Sequence, residues 1–369
     1  MRLLKLSGWM CGLVIGVSVG LADAQQGAKA RDRGHPDSSS PVVKADRIVE
    51  HFMKEKKVPG LVLAVVRDGR VVVEKGYGVR TPEDETRPDS DTLFYIGSLS
   101  KAITGVGIEL LIERGKVKFD EPIGRLVHAV PKSWHHIPLK LFLAHQSGIP
   151  EMATAKSPNL EATFRAAEDL PLQFKPGSKQ QYNNFNFAIA GQVIEGASGE
   201  SYLEFMTNEV FKPLEMTHTG YGQTDPNHSP GHYLRKNGRL EVIQEVAPKG
   251  GEYAIPSGFI QTTLGDLLRL YRGIQQHKLL TPARTQEMLS PVTPGMTGTP
   301  GWFAREVNGI KIVGKDGAAS GYSSQFQFVP ARDDAVIFIM NLQGQGLGTT
   351  ALANELLKEV CGLPIPIKH

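Results

Sequence analysis

Apolar residues near the two ends of the chain form short continuous runs that are rich in β-branched side chains. Two pairs of runs surround a glycine-containing dipeptide: 61–66 and 71–73 around Asp68-Gly69, and 302–307 and 310–313 around Asn308-Gly309. Such dipeptides between apolar runs are typical of tight β-hairpin turns. Runs at 325–329 and 335–341, with a turn at 331–334, predict two further strands.

Outside these runs, apolar residues recur every three or four positions, which is the period of an amphipathic helix. This spacing predicts helices at 45–56, 159–170, 185–197, 202–214, 262–277 and 349–360. Strands at both ends and helices between them predict an α+β fold, an α/β sandwich. Its antiparallel sheet is built from both chain ends and flanked by helices. We assign the sheet part to about 42–115 and 251–369, and an inserted helical subdomain to about 116–250.

Composition and charge narrow the function without defining it. The chain has 369 residues, 40% hydrophobic and 21% charged, which is typical of a globular protein with a large core. Its 41 basic and 38 acidic residues leave a formal charge of +3 and are spread along the chain, so no nucleic-acid partner is expected. His135, His136 and His145 could suggest a metal site, but no His-Glu-x-x-His motif occurs, and a structural role for His145 is favoured.

The N-terminus has the features of a secretory signal. Arg2 and Lys5 precede an apolar run at 9–21, and Ala22-Asp23-Ala24 fits a cleavage site. We expect a signal peptide at 1–24, a disordered spacer at 25–41 and one domain at 42–369. An anchor that is never cleaved is the alternative. Cleavage implies a periplasmic or secreted protein without a membrane span, and Cys361 alone would then be unable to form an intramolecular disulfide.

The segment 96–101 carries the first candidate for catalysis. We expect a helix whose first turn holds Ser98 and Lys101, followed by a run at 102–111 that is apolar nearly all round and therefore buried. Residues three apart share a helix face, and burial lowers the pKa of a lysine so that it can serve as a base. The N–H groups of the helix N-terminus suit a developing oxyanion. Alternatively, Ser100 caps the helix and Lys101 is solvated.

Two later motifs add candidates. Tyr182 and Asn184 precede the predicted helix 185–197, where a lysine could lower the pKa of the phenol and the amide could hold that lysine or a substrate. The alternative is that Asn184 caps the helix and Tyr182 packs. Lys315-x-Gly317 ends a predicted strand and could present a cation to an extended substrate, with the glycine allowing close approach.

Together, Ser98-x-x-Lys101, Tyr182-x-Asn184 and Lys315-x-Gly317 resemble, in order and spacing, the serine β-lactamase and penicillin-binding protein superfamily. The similarity is to the branch of class C β-lactamases, D,D-peptidases, D-aminopeptidases and related esterases. Further similar landmarks are Val58-Pro59-Gly60, 94–97, 143–148, 213–216 and Ser257-Gly258-Phe259. The resemblance covers nearly the whole chain after residue 24.

The resemblance implies a role for each matched residue. Ser98 would attack a carbonyl and form an acyl-enzyme, Lys101 or Tyr182 would take its proton, and Tyr182 would protonate the leaving group. Which of the two is the first base stays open, because such a pair titrates as a unit. Asn184 would orient Lys101 and a substrate amide, and Lys315 would add positive potential. The N–H groups of Ser98 and Ala318 would form the oxyanion hole. No cofactor or metal is implied.

One position departs from the family pattern. Lactamases and D,D-peptidases usually have Thr or Ser where this chain has Asp316. An ionised carboxylate cannot donate a hydrogen bond and repels an anionic substrate. We therefore predict poor turnover of β-lactams and of D-alanyl-D-alanine ends, and a preference for ester, amide or amine-bearing substrates. This holds unless strand alternation turns Asp316 away from the cleft.

The most specific hypothesis is thus a secreted serine hydrolase acting on a small-molecule or peptide substrate. Three alternatives remain open: a slowly deacylating penicillin-binding sensor, a D,D-carboxypeptidase and a true β-lactamase. The natural substrate and the oligomeric state cannot be derived from the sequence.

Overall fold

The strand that follows the first described helix pairs with the last long strand of the described residues. The computed structural model describes residues 39–83, 85–152, 159–243, 246, 251–344 and 346–366. In these residues a six-stranded antiparallel sheet has the order β2-β1-β10-β9-β8-β7. Its strands are β1 (Gly60–Arg67), β2 (Arg70–Gly78), β7 (Phe303–Val307), β8 (Ile310–Ala319), β9 (Tyr322–Val329) and β10 (Asp334–Met340). The predicted α+β fold, with a sheet built from both chain ends, is confirmed.

The continuous apolar run of β1 is explained by burial on both faces of the sheet. Leu61, Leu63 and Val65 belong to one hydrophobic cluster, and Val62 and Ala64 belong to the other. Successive side chains of a strand point to opposite faces, so a strand between two helical layers needs apolar residues at every position.

Helices cover both faces of the sheet. On one face α1 (Pro41–Lys56) packs against α11 (Thr349–Glu359). The remaining helices are α2 (Ser100–Glu113), α3 (Ile123–Leu126), α4 (Leu139–Leu143), α5 (Leu160–Ala167), α6 (Phe185–Ser198), α7 (Tyr202–Met206), α8 (Ile255–Gly258), α9 (Leu264–Gln275) and α10 (Pro282–Met288). Helix α2 lies at the centre of the second layer, with α6 and α8 against it.

Helix bounds differ from the expected ones where local chemistry decides them. Helix α1 begins at Pro41, the last residue of the predicted spacer, because proline is well suited to the first helical position. Residues 25–38 of that spacer and the predicted signal 1–24 lie outside the described residues. The expected helix 202–214 is α-helical only to Met206 and continues as a π-helical turn, Thr207–Phe211.

The middle of the chain also contains strands that the sequence pattern does not predict. β4 (His232–Leu234) and β5 (Leu240–Val242) form a small sheet with β11 (Leu342–Gln343), in the order β11-β4-β5. β3 (Phe94–Tyr95) pairs with β6 (Gln261–Thr262). Strands of two or three residues are too short to produce a recognisable alternation of apolar and polar positions.

None of the helices in the described residues is both long enough and apolar enough to cross a membrane.

Candidate active site

Ser98 lies in a 3₁₀ turn, Gly97–Leu99, that leads directly into α2. Gly97 has a φ of +54°, a conformation that favours glycine. The Ser100 hydroxyl donates a hydrogen bond to the Gly97 carbonyl at 2.7 Å and accepts one from the N–H of Ile260 at 3.1 Å. The turn that presents Ser98 is therefore fixed by the serine two residues later.

Lys101 is fully buried one turn after Ser98, as the spacing predicts. Its Nζ lies 3.2 Å from Ser98 Oγ and donates hydrogen bonds to Asn184 Oδ1 at 2.9 Å and to the carbonyl of Ser257. Burial, helped by the like charge of Lys315, lowers the pKa of Lys101 well below its usual value. The alternative of a solvated lysine is wrong.

The Tyr182 hydroxyl donates a hydrogen bond to Ser98 Oγ at 2.6 Å. Its ring lies 5.0 Å from Lys101 Nζ and 5.3 Å from Lys315 Nζ. The sequence leads us to expect that cations lower the pKa of this phenol, but burial raises it well above the usual value and the hydrogen bond to Ser98 only opposes this. Tyr182 is therefore protonated and acts as a donor to Ser98.

Asn184 reaches Lys101 because the residues around it anchor the chain. The Asn183 side chain donates a hydrogen bond to the Ile149 carbonyl at 3.0 Å, and Asn186 accepts one from Ser147 Oγ at 2.8 Å. Both Asn183 and Asn186 are buried. Asn184 occupies the N-cap position of α6 but makes no side-chain cap hydrogen bond. Its amide is thus free to bind Lys101.

Lys315 and Asp316 on β8 form an internal pair. The Lys315 side chain is only 2% exposed, and its Nζ donates to the Asp316 carbonyl at 2.8 Å and lies 3.3 Å from the carboxylate Oδ1. The Asp316 side chain is 60% exposed. Alternation along the strand thus leaves Lys315 buried and Asp316 exposed. The Asp316 carboxylate nevertheless lies beside the ammonium group of Lys315.

Gly317 and Ala318 bring β8 into contact with the Ser98 turn. A Cβ on Gly317 would lie 2.0 Å from the Ile96 carbonyl oxygen, and a Cβ on Gly97 would lie 2.7 Å from the Ala318 nitrogen. Pairing of β7 with β8 ends at Phe303 and Gly314, so positions 315–319 extend beyond it. Glycine on both sides of this contact, Gly97 in the turn and Gly317 on β8, places the Ala318 backbone next to Ser98.

A cleft of about 280 Å³ opens beside the serine. It is lined by Ser98, Glu151, Met152, Asn184, Ala254, Ser257, Gly258, Phe259, Ala318 and Ala319. The structure therefore brings together Ser98, Lys101, Tyr182, Asn184, Lys315, Gly317 and Ala318 from 3 separate motifs at one cleft.

Two contributions are not foreseen from the sequence. The Ser257 carbonyl accepts a hydrogen bond from Lys101, a backbone contact that no side-chain pattern reveals. Glu151 accepts hydrogen bonds from the N–H and the side-chain amide of Asn184. Its only sequence signal is an acidic residue just after the landmark at 143–148. Burial raises the pKa of the Glu151 carboxyl, while the hydrogen bonds from Asn184 act in the opposite direction.

His145 lies behind the site rather than in the cleft. It is buried against Tyr182, with ring centroids 4.4 Å apart, and its Nδ1 accepts a hydrogen bond from the Asn183 N–H at 3.2 Å. Within the described part of the chain, no three His, Cys, Asp or Glu side chains are grouped so that they could hold a metal ion. The structural role expected for His145 matches this position.

Fold and site together define a member of the β-lactamase family. The family model described as Beta-lactamase matches residues 45–358, and the chain belongs to that family. The octameric penicillin-binding protein homologue from Pyrococcus abyssi has a similar fold, with a TM-score of 0.75 and 24% identity over 86% of this chain and 77% of that one.

Two of the relatives come from Staphylococcus aureus. Protein flp is 26% identical over 323 residues, which cover 81% of this chain and 63% of that protein. Teichoic acid D-alanine hydrolase is 27% identical over 249 residues, which cover 65% of this chain and 60% of that protein. The chain thus spans less than two thirds of the length of these curated relatives.

Proposed function

We propose that this protein is a secreted serine hydrolase that acts on an ester, amide or peptide carbonyl through an acyl-enzyme at Ser98. The observation that carries the proposal is the position of Ser98 Oγ in the cleft, 3.2 Å from Lys101 Nζ and 2.6 Å from the Tyr182 hydroxyl. A serine hydroxyl is a weak nucleophile unless a base lies within hydrogen-bond reach. A hydrolase named for D-alanine among the relatives supports this reaction class.

Lys101 is proposed as the first base. Burial lowers the pKa of Lys101, which favours the neutral amine that a base requires, and raises the pKa of Tyr182, which favours the protonated phenol. The amine accepts the Ser98 proton as Oγ bonds to the carbonyl carbon. The phenol, already a donor to Oγ, is placed to deliver a proton to the departing alcohol or amine.

Backbone N–H groups of Ser98 and Ala318 would hold the oxyanion of the tetrahedral intermediate. Collapse of that intermediate breaks the bond to the leaving group and leaves the acyl group on Ser98 Oγ. The Lys101 ammonium then returns a proton to the Tyr182 phenolate, which resets the pair. Water adds to the acyl carbon and gives a proton to this pair, and the pair passes a proton to Ser98 Oγ as the ester bond breaks and the acid is released.

The charges at the cleft favour a neutral or amine-bearing substrate over an anionic one. Lys315 is buried and its ammonium group is paired with Asp316, so its charge is largely balanced within the protein. Glu151 lines the cleft beside Ser98. D-alanine in an ester or amide through its carboxyl carries a free ammonium group, and we propose acyl groups of this kind as substrates.

Export is the second part of the proposal. The charged start, apolar run and Ala22-Asp23-Ala24 support cleavage after residue 24 and a periplasmic or extracellular location. N-terminal sequencing of the exported protein should begin at Gln25. Recovery of the full-length chain from the membrane fraction would instead support an uncleaved anchor.

The test compares a short-chain p-nitrophenyl ester with a chromogenic cephalosporin, using wild type and Ser98→Ala. Ester hydrolysis lost in Ser98→Ala, with little cephalosporin turnover, is the expected result. Fast Ser98-dependent cephalosporin turnover would identify a β-lactamase and contradict the proposed charge preference. A stable covalent β-lactam adduct without turnover would favour the sensor, and release of D-alanine from D-alanyl-D-alanine peptides would favour the carboxypeptidase.

A further inference from the structure

The Glu151 carboxylate accepts two hydrogen bonds at the N-terminus of α6, although Glu151 lies far from α6 in sequence. Glu151 Oε2 accepts a hydrogen bond from the backbone N–H of Asn184 at 2.8 Å, and Oε1 accepts one from Asn184 Nδ2 at 3.2 Å. The two residues are 33 positions apart in sequence. Free N–H groups and the partial positive charge at a helix N-terminus favour a carboxylate there. Each oxygen of Glu151 thus accepts a hydrogen bond from Asn184.

The hydrogen bonds between Asn184 and Glu151 determine which atom of the Asn184 amide faces Lys101. A side-chain amide has one accepting and one donating end, and its orientation follows from its hydrogen-bond partners. Because Nδ2 donates to Glu151, Oδ1 points the other way and accepts from Lys101 Nζ at 2.9 Å. The flipped amide would set two donors against each other at Lys101 and two acceptors against each other at Glu151.

The segment that carries this carboxylate is itself tied to the start of α6. The Asn183 N–H donates to His145 Nδ1 at 3.2 Å, and the Asn183 side chain donates to the Ile149 carbonyl at 3.0 Å. Ser147 Oγ donates to Asn186 Oδ1 at 2.8 Å. These bonds hold the two segments together, so the Glu151 carboxylate is kept at the N-cap position of α6.

We infer that Glu151 is a positioning residue for the reaction, which acts through the Asn184 amide to hold Lys101 against Ser98. This inference rests on the proposed function. Glu151 makes no contact with Lys101 or Ser98 among the hydrogen bonds of the described residues. Its effect on the base is therefore transmitted by Asn184 and by its own negative charge.

The charges around Lys101 set the direction of the expected pH effect. Lys315 lowers the pKa of Lys101, whereas Glu151 and Asp316 raise it. Tyr182 and His145 also face Lys101; burial keeps the first protonated and lowers the pKa of the second. Removal of the Glu151 charge alone should lower the pKa of Lys101. Because Lys101 must be neutral to act as a base, the acid limb of the pH profile, where kcat/KM falls as the pH is lowered, should move to lower pH.

The test measures kcat/KM for the p-nitrophenyl ester against pH in wild type, Glu151→Gln, Asn184→Ala and the double variant. Glu151→Gln keeps the size of the side chain but turns one of its two acceptors into a donor. We expect kcat/KM to fall about 10- to 100-fold, a usual cost of misplacing a reacting group. In the Asn184→Ala background the same change should have less than about a twofold effect, because residues that act through one another are not additive.

Glu204→Gln is the matched control. Glu204 also caps the N-terminus of a helix, because it accepts hydrogen bonds from the N–H and hydroxyl of Ser201 at the start of α7. It should leave both kcat/KM and the acid limb unchanged. A fluorophosphonate that labels Ser98 gives a second readout of nucleophile reactivity, and it should follow the same order among the variants.

Several results would overturn the inference. An equal loss from Glu151→Gln with and without Asn184 would mean that the carboxylate acts on the substrate or on stability instead. An acid limb that stays in place with full activity would remove any role in positioning the base. If wild type reacts with neither the ester nor the fluorophosphonate at Ser98, the proposed function itself fails. If wild type is active and Glu151→Gln is equally active, only the inference about Glu151 fails.

Discussion

Asp316 gives the buried cation of β8 a counter-charge within the protein. The carboxylate lies 3.3 Å from Lys315 Nζ, and the Asp316 carbonyl accepts a hydrogen bond from the same nitrogen. An anion entering the cleft therefore meets an ammonium group that already has a counter-charge. Local pairing of this kind reduces the attraction that a distant anion experiences.

Replacing Asp316 with Thr should raise the rate of acylation by an anionic cephalosporin. The change removes a negative charge and supplies a hydroxyl that can donate a hydrogen bond, and we expect an increase of about 10-fold, equivalent to ~1.4 kcal/mol. Stopped-flow measurement of acyl-enzyme formation would provide the rate. Asp316→Asn separates the two causes, because it removes the charge without adding the hydroxyl. An unchanged rate in both variants would exclude Asp316 as a determinant of substrate charge.

The like charge of Lys315 should be visible in the pH dependence of the reaction. Lys315 lowers the pKa of Lys101, so Lys315→Met should raise that pKa. Because a neutral Lys101 is the proposed base, the acid limb of kcat/KM should then move to higher pH, the direction opposite to that for Glu151→Gln.

Lys311→Met is the control for this shift. Lys311 lies on the same strand and binds Ser290 Oγ at 3.1 Å. It should leave the acid limb where it is in wild type. A limb that moves equally in both variants would point to a general effect of net charge, and a limb that does not move in Lys315→Met would exclude Lys101 as the titrating base.

At the scale of elements, the contact between β8 and the Ser98 turn depends on glycine. Gly317→Ala should lower kcat/KM by at least about 100-fold, since the new Cβ would be 2.0 Å from the Ile96 carbonyl and 2.9 Å from the Leu99 nitrogen. Esterase assays on folded protein, with circular dichroism to monitor folding, would test this. Full activity in Gly317→Ala would contradict the tight packing described above.

Gly196→Ala provides the comparison for that substitution. Gly196 lies within α6, and the nearest atom to an added Cβ is the Leu126 carbonyl oxygen at 3.5 Å, an ordinary contact. Because alanine favours the helix over glycine by roughly 0.5–1 kcal/mol, this variant should be active and at least as stable as wild type.

Much of the element order could be predicted because local chemistry and tertiary structure agree. Asp68-Gly69 and Asn308-Gly309 both have positive φ values, 49° and 74° in the first turn and 52° and 75° in the second, as a tight hairpin requires. The short strands β4 and β5 could not be predicted, because their pairing depends on backbone groups that leave no sequence pattern.

The same distinction applies to the cleft. Side chains in ordered motifs, such as Ser98, Lys101 and Tyr182, could be proposed from spacing and family resemblance. Ser257 acts through its carbonyl, and Glu151 acquires its partner only when two segments pack together. Neither contribution is encoded by residue type alone. The pKa direction of Tyr182 was also beyond reach, because it is set by burial rather than by neighbouring lysines.

At the scale of the whole molecule, two hydrophobic cores on opposite faces of the sheet separate stability from chemistry. Leu356 on α11 is fully buried in the core that contains α1, whereas α2, with Lys101, belongs to the other layer. Leu356→Ala should lower the free energy of unfolding by about 2–5 kcal/mol, the usual cost of such a cavity. Below the unfolding transition, kcat should be unchanged.

Thermal unfolding monitored by circular dichroism, with esterase assays at low temperature, would check this prediction. A large fall in kcat in the folded protein would mean that the sheet transmits changes in the α1–α11 layer to the cleft. An unchanged melting temperature would instead show that α11 contributes little to the stability of the sheet.

The pairing of β1 with β10 also limits when the sheet can form during synthesis. Leu61 pairs with Met340, so the two partners are separated by 340 − 61 = 279 positions. A ribosome delivers β1 well before β10, and until β10 is made this apolar strand lacks one of its two partners in the sheet. The sheet therefore cannot be completed before β10 is made, and a nascent chain released before that point would expose a strand that readily aggregates.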